Sequence, residues 1–286
     1  MVTLPMRTAP PRPTRGGSRG SLSSRVGTTV FVVVVVGGLF GAWAWWNGTV
    51  GDVPIREHCT AEASGTSTEV DPEQAGNAAI IAGVAVQRQL PARAATIGIA
   101  TAVQESKLRN IEYGDRDSLG LFQQRPSQGW GTRKQILDPV YATGKFFDAL
   151  AKVHGYEAMP ITEVAQAVQR SAFPGAYADH EPEGRVMAST LSGYSPAGFN
   201  CILHGPSDLA EEQPGAGGTT PRAAALVKAA GRETVRGTAV PVTTDGKSLR
   251  FTVPAATGNR YGWSLAQWAV ARAEGLQVVA VTVGDR

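Results

Sequence analysis

"VQESKL", Val103–Leu108, closes an almost wholly apolar stretch, and "DSLGLFQQ", Asp117–Gln124, comes a short turn later. The stretch begins after Pro91 and carries Ala94, Ala95, Ile97, Ile99, Ala100, Ala102 and Val103. Read as a helix it is apolar on nearly every face, which in a globular unit marks a central, buried element. Glu105 stands at its far end. Apolar surroundings disfavour the charged form of a carboxyl and raise its pKa, so Glu105 is a candidate acid. The plainer reading pairs it with Arg109, four residues on, as an ordinary surface contact of a helix.

Working outward, "DPEQ" at Asp71–Gln74 starts the preceding helix, with a capping Asp, Pro at the first helical position and Gln at the capping-box position. That helix is expected to run to about Gln89. "YGDRDS" has turn chemistry, and "DSLGLFQQ" reads as a short extended piece or a helix start. Asp138–Pro139 repeats the Asp-Pro start for a helix through Val153 that Gly155 terminates. Thr162 caps another, "EVAQAVQRSA", stopped before Pro174. A last helix of this unit spans the low 180s to Leu191, with Gly193 after it.

On the N-terminal side, residues 60–70, "TAEASGTSTEV", read as a polar connector, so 47–70 precede a mainly α-helical domain over 71–203. "GPSDLAEEQPGAGG", within 204–220, is a Pro/Gly linker. Residues 221–286 then read as a small α/β domain. It has helices near Ala223–Ala230 and Trp263–Glu274, strands at Ala239–Thr243 and Ser248–Val253, and a final strand in "LQVVAVTV". The fold class is α+β.

Charge and hydropathy place this body. The formal charge is +3, but the first 27 residues hold five arginines and no acid, leaving 22 basic against 24 acidic residues beyond them. The basicity belongs to the tail 1–27, and the body offers no basic surface for nucleic acid. "TTVFVVVVVGGLFGAWAWW", 28–46, is uncharged. As a helix it rises about 28 Å, the hydrocarbon thickness of a bilayer. It ends in Trp43, Trp45 and Trp46, placed as an interfacial belt rather than a cleavage site. The expectation is one uncleaved span in the lipid bilayer, with the arginines cytoplasmic and the body extracytoplasmic.

An oxidising exterior suits Cys59 and Cys201 as one disulfide. "HC" at His58–Cys59 and "CILH" at Cys201–His204 also present a zinc-type donor set. Neighbouring His and Cys are awkward ligands of one ion, and the pair reads as a staple. His154 and His180 have no metal-ligand spacing. No metal and no cofactor is expected.

"ATAVQESKL" followed by "DSLGLFQQ" resembles the glutamate–serine and Ser-x-Gly-Leu-x-Gln signature of lysozyme-like soluble lytic transglycosylases and goose-type lysozymes. More closely, "QESKLRNIEYGDRDSLGLFQQRPSQGWGT" and "AQAVQRSAFPGAYADHE" are similar to a family of membrane-anchored proteins of high-GC Gram-positive bacteria, over roughly 59–201. The resemblance implies a lysozyme-like fold and cleavage of peptidoglycan glycan strands, with Glu105 as general acid. It also implies Ser106, Ser118, Gly120 and Gln123 as cleft residues. The chain departs from the signature in carrying Phe122 for the usual Met. Where transglycosylases have a Tyr-Asn pair, Gln169 and Ser171 stand instead.

The mechanism turns on a second carboxylate. Asp115 or Asp117 would activate water for inversion; "GDRD" is equally a turn sequence. Without such a base the glycan's own 2-acetamido group and 6-hydroxyl assist. Phe122, Trp130 and Tyr177 are candidate stacking platforms for sugars, or packing residues. Two rival readings are a catalytically silent glycan-binding module and a scaffold of a cell-wall or division complex. In the latter the C-terminal domain docks a protein partner.

Overall fold

The computed structural model describes residues 56–169, 174–205, 212–215, 218–235, 242–243, 246–253 and 258–284. The expected tail and span, 1–46, lie outside the described residues. Among the described residues no helix is long and apolar enough to cross a membrane. The fold is mixed α+β, mainly helical with a small three-stranded sheet, and Ile55–Arg286 form one compact unit.

The sheet begins in the stretch read as a connector. Strand β1 (His58–Ala63) turns at Ser64–Gly65 into β2 (Thr66–Val70). Both turn residues have positive φ, 53° and 74°, the backbone twist that suits a two-residue hairpin. Alternation decides the faces: Cys59, Ala61 and Ala63 point into the core while the hairpin's polar residues face out. The polar composition that suggested a connector belongs to the solvent face of a sheet. Strand β3 (Phe199–Ile202) pairs antiparallel on the other side of β1, with Cys59 directly opposite Cys201. The two are joined in a disulfide across 142 residues. Their sulfurs are spent in that bridge, which removes the zinc alternative built on them.

Helix α1 (Pro72–Gln87) carries the full capping box of Asp71 and Gln74, a device worth about 1 kcal/mol. Helix α2 (Ala92–Ser106) is the central element, buried on all faces from Ala94 to Val103. It can be central because its neighbours come close. A Cβ on Gly98 would stand 2.9 Å from Ile81 of α1, and one on Gly184 would stand 3.0 Å from the Thr96 carbonyl of α2 itself. The single-turn helix α3 (Arg133–Ile136) leads to α4 (Pro139–Leu150), where Asp138 accepts from Val140 N. Helix α5 (Ile161–Gln169) starts ahead of the expected Thr162 cap. The 3₁₀ helix Pro174–His180 then feeds α6 (Glu181–Leu191), which crosses α2 at Gly184.

The segment read as a small α/β domain shares this core. Helices α7 (Pro221–Glu233) and α8 (Gly258–Ala271) bring Ala230, Trp268 and Ala271 into the same buried cluster as α1 and α2. Gly83 of α1 lets the Glu233 carbonyl approach, since a Cβ there would stand 2.6 Å from it. The buried Glu233 carboxylate accepts from Trp268 Nε1 at 2.9 Å and from Arg272 at 3.0 and 3.1 Å. A buried carboxylate is tolerable only when it is paired and hydrogen-bonded in this way. Among the described residues strands β4 (Val242–Thr243) and β5 (Leu249–Arg250) form a two-rung ladder, and 251–253 do not extend the second; 239–241 of the expected first strand lie outside the described residues. The final run gives no strand. After the short α9 (Ala273–Leu276), Val278 N caps Ala273 O, and 279–283 find no ladder partner among the described residues. Strand propensity without a neighbouring edge makes no strand.

Candidate active site

Glu105 is the penultimate residue of α2, and the residues just beyond the helix hold its end in place. Lys107 and Leu108 both take left-handed backbone, at φ 57° and 58°, a conformation costing non-glycine residues about 1 kcal/mol or more each. Local bonds offset it: Leu108 N reaches Ala102 O at 3.1 Å, closing the helix. Two side chains of α1 satisfy the exposed carbonyls, Gln74 Nε2 on Lys107 O at 2.9 Å and Asn77 Nδ2 on Leu108 O at 2.7 Å. Arg109 completes the tie by donating to Asp71 and Glu73. The expected surface pair between Glu105 and Arg109 is therefore not made. Arg109 serves the N-terminus of α1, where carboxylates already sit, and Glu105 is left to other partners.

The "SLGLFQQ" segment folds over this end as a tight loop. Leu119 and Gln124 exchange both backbone bonds, and Gly120 N donates to Ile111 O at 2.7 Å. Gly120 is required twice, by its φ of +73° and because a Cβ would meet the Ile136 carbonyl at 2.8 Å. Ser106 is buried and donates from Oγ to Ala102 O at 3.1 Å and to Leu121 O at 2.8 Å, pinning loop to helix. Ser118 is buried in the same loop, and Gln123 Nε2 braces Gly120 O at 3.2 Å and Tyr113 O at 3.3 Å. The five signature residues Glu105, Ser106, Ser118, Gly120 and Gln123 are thus one local assembly, in which Ser106 and Gly120 build the frame.

Glu105 faces two side chains from far along the chain. Tyr177 Oη donates to its Oε1 at 2.6 Å. Gln169, the last residue of α5, also bonds the carboxyl while its Nε2 donates to Phe122 O at 2.7 Å. Burial dominates the electrostatics and raises the Glu105 pKa above the ordinary glutamate value; the bonds from Tyr177 and then Gln169 oppose this more weakly. A half-buried carboxyl that holds its proton to higher pH, on the end of a rigid helix, has the makings of a proton donor. Beside it His180 bridges Gln104 Oε1 at 3.0 Å and Glu183 Oε1 at 2.7 Å. This contact, which no local sequence signal announces, fastens the 3₁₀ helix carrying Tyr177 to the end of α2.

The candidate second carboxylates are placed differently. Asp115 is almost fully exposed, with Arg116 at 3.8 Å. Asp117 accepts from Arg125 Nε at 2.7 Å, Ser127 N at 2.8 Å and Ser127 Oγ at 3.0 Å. The Ser127 amide, then the Arg125 guanidinium, drive its pKa far below the usual range. A carboxylate so well satisfied is a poor base, and Asp117 is the organiser of its turn.

The aromatics divide. Phe122 is fully buried and stacks on Phe146 with ring centroids 4.6 Å apart, so it offers no face to a ligand. Tyr177 is also fully buried, with its hydroxyl on Glu105 rather than a ring face in solvent; its role in the site is to hold the acid. Trp130 alone of the three is half exposed. It lines an open groove of about 960 Å³ together with Gln128, Lys145, Asp148, Lys152 and Gln169, a volume suited to a small-molecule or oligomer segment. Gln169 connects the groove to Glu105. Ser171 lies outside the described residues. Among the described residues no cluster of three or more His, Cys, Asp or Glu could hold a metal ion. No family model matches the chain, and no curated protein matches it.

Proposed function

We propose that this chain is a membrane-anchored, lysozyme-like enzyme that cuts peptidoglycan glycan strands outside the membrane, with Glu105 as general acid. The observation that carries this reading is the Glu105 carboxyl itself. It is half-buried, raised in pKa by burial, and bonded by Tyr177 and by Gln169, which itself lines the groove. Protonated Glu105 would give its proton to the bridging oxygen as the C1–O bond breaks, and its carboxylate would then take a proton from the attacking hydroxyl. The engagement of Asp117 with Arg125 and Ser127 favours attack by the sugar's own 6-hydroxyl over water activated by a second carboxylate. The lytic transglycosylase outcome, an anhydro sugar end, is therefore the preferred form of the proposal.

The test is incubation of the detergent-solubilised chain with peptidoglycan and mass analysis of the released fragments. Anhydro-ended fragments released by the unmodified chain and lost in Glu105→Gln support the proposal. Reducing-end products would keep Glu105 as acid but replace the sugar hydroxyl with water. Full release by Glu105→Gln would end the assignment. Binding of strands with no release by either form would favour the catalytically silent module, the reading that Phe122 in place of Met and the absent Tyr-Asn pair support.

A further inference from the structure

His180 is the N-cap of α6, yet its ring makes no cap bond. The ring is turned instead between two side chains, with Nδ1 at 2.7 Å from Glu183 Oε1 and Nε2 at 3.0 Å from Gln104 Oε1. Its side chain is 20% exposed, little enough that an unpartnered ring nitrogen would be costly. Both contacts survive a change of tautomer, because the Gln104 amide can turn to present its NH2 group. The two anchors belong to fixed elements. Glu183 lies in the first turn of α6 beside Gly184, where a Cβ would stand 3.0 Å from the Thr96 carbonyl and 3.1 Å from Ala100 Cβ of α2. Gln104 immediately precedes Glu105 on α2. Tyr177 stands three residues before His180 on the 3₁₀ helix Pro174–His180, and side chains at that spacing eclipse on such a helix. Tyr177 and His180 therefore share a face and meet successive residues of α2, Glu105 and Gln104.

We propose that His180 is a positioning residue for Glu105. Held by Glu183, its ring fixes the 3₁₀ helix on Gln104, and this keeps the Tyr177 hydroxyl on the Glu105 carboxyl. Hydrogen bonds weaken steeply as the donor tilts or withdraws, so a short helix bearing the donor needs a second point of attachment close by. Glu105 takes its bonds from Tyr177 and Gln169, and His180 reaches it through the first of these. The consequence for rate rests on the reading of Glu105 as the acid. The consequence for the titration of Glu105 does not, since it depends on the Tyr177 bond alone.

The test reads the Glu105 titration without turnover. In the detergent-solubilised full chain, melting temperature is followed against pH for each variant with and without Glu105→Gln. The pH window over which the difference changes belongs to the Glu105 carboxyl. Burial raises the Glu105 pKa and the Tyr177 bond opposes the rise, so loosening that bond moves the window to higher pH. His180→Phe keeps an aromatic ring and loses both bonds, and it should move the window in this direction. Gln104→Leu removes the partner from α2 and should do the same; it decides the matter if His180→Phe does not fold. In a Tyr177→Phe background neither substitution should move the window further. Windows that stay in place in the single variants would overturn the proposal. So would equal movement with and without the Tyr177 hydroxyl, which would make His180 a charge acting on Glu105 directly. In the cutting assay, kcat of His180→Phe should fall about tenfold with KM little changed, as for a misplaced catalytic group. A raised KM at constant kcat would assign His180 to strand binding instead. No cutting by the unmodified chain would remove the enzymatic proposal, and the windows would still decide the role of His180.

Discussion

Tyr177 Oη and Glu105 Oε1 meet at 2.6 Å across 72 residues of chain. The bond ties the 3₁₀ helix Pro174–His180 to the end of α2 and gives a half-buried carboxyl its nearest donor. That donor opposes the rise in pKa that burial causes. Tyr177→Phe removes the hydroxyl and keeps the ring. The Glu105 pKa should then rise further, and the alkaline limb of the pH–rate profile should move to higher pH. Loss of the bond should cost stability of about 1 kcal/mol. An alkaline limb that stays in place would separate Tyr177 from the acid.

Glu105→Gln tests the same group through stability. The folded-state pKa is raised above the unfolded value by burial, so the fold favours the protonated form. That favourable contribution is fully present below the unfolded pKa and is lost as pH rises through the folded pKa. Against the Gln variant, which does not titrate, the unmodified chain should therefore lose melting temperature as pH climbs through this window. Turnover of the variant should fall by about 10²–10⁴, the share a general acid contributes. A Gln variant less stable than the parent at neutral pH would contradict the burial argument.

Asp117 should behave oppositely. Its pKa is depressed by the Ser127 amide and the Arg125 guanidinium. Its contribution is thus present above the unfolded pKa and lost as pH falls through the folded one. Asp117→Asn keeps the shape and part of the bonding, so turnover should change by far less than in Glu105→Gln. Comparable losses in steady-state assays would restore Asp117 as the base of an inverting hydrolase.

The Cys59–Cys201 bridge closes a loop of 142 residues between directly paired strands. Chain entropy assigns such a loop about 5 kcal/mol. Cys59→Ser/Cys201→Ser should lower the urea midpoint substantially, and reducing agent should do the same to the parent but not to the variant. An unchanged midpoint would mean that the β1–β3 ladder holds this edge without covalent help.

The anchoring proposal has its own check. Protease added to intact, wall-stripped cells should digest the chain beyond Trp46 and spare the arginine tail, which the positive-inside rule keeps cytoplasmic. Protection of the body would reverse the orientation.

What could be read in the sequence was what is local in the backbone. Asp71 with Pro72 and Gln74, and Asp138 with Pro139, start α1 and α4 as expected, because capping chemistry acts within one helical turn. The run from Ala94 to Val103 declares a buried helix by having no polar face. Glu105, Ser106 and Gly120 were grouped in the sequence only by the resemblance of their segments to a lysozyme-like signature; the tertiary structure brings the three together through one tight loop. Choices of partner were not legible. Arg109 lies four residues from Glu105, yet it pairs with Asp71 and Glu73, because α1 brings two carboxylates to it while Glu105 turns inward. Tyr177 read as a sugar platform or a packing residue, and it is buried with its hydroxyl donating to the acid. The polar stretch 60–70 read as a connector and is a hairpin, since alternation is visible only once one face has a core to meet. Residues 221–286 read as a domain of their own, while Glu233 and Arg272 pack on Gly83 and Gly76 of α1 and Gln87 of α1 donates to the Gly231 and Val235 carbonyls. A side chain's partner is selected by geometry through space and by what burial makes costly to leave unpaired. Neither is decided until the tertiary fold brings distant elements together.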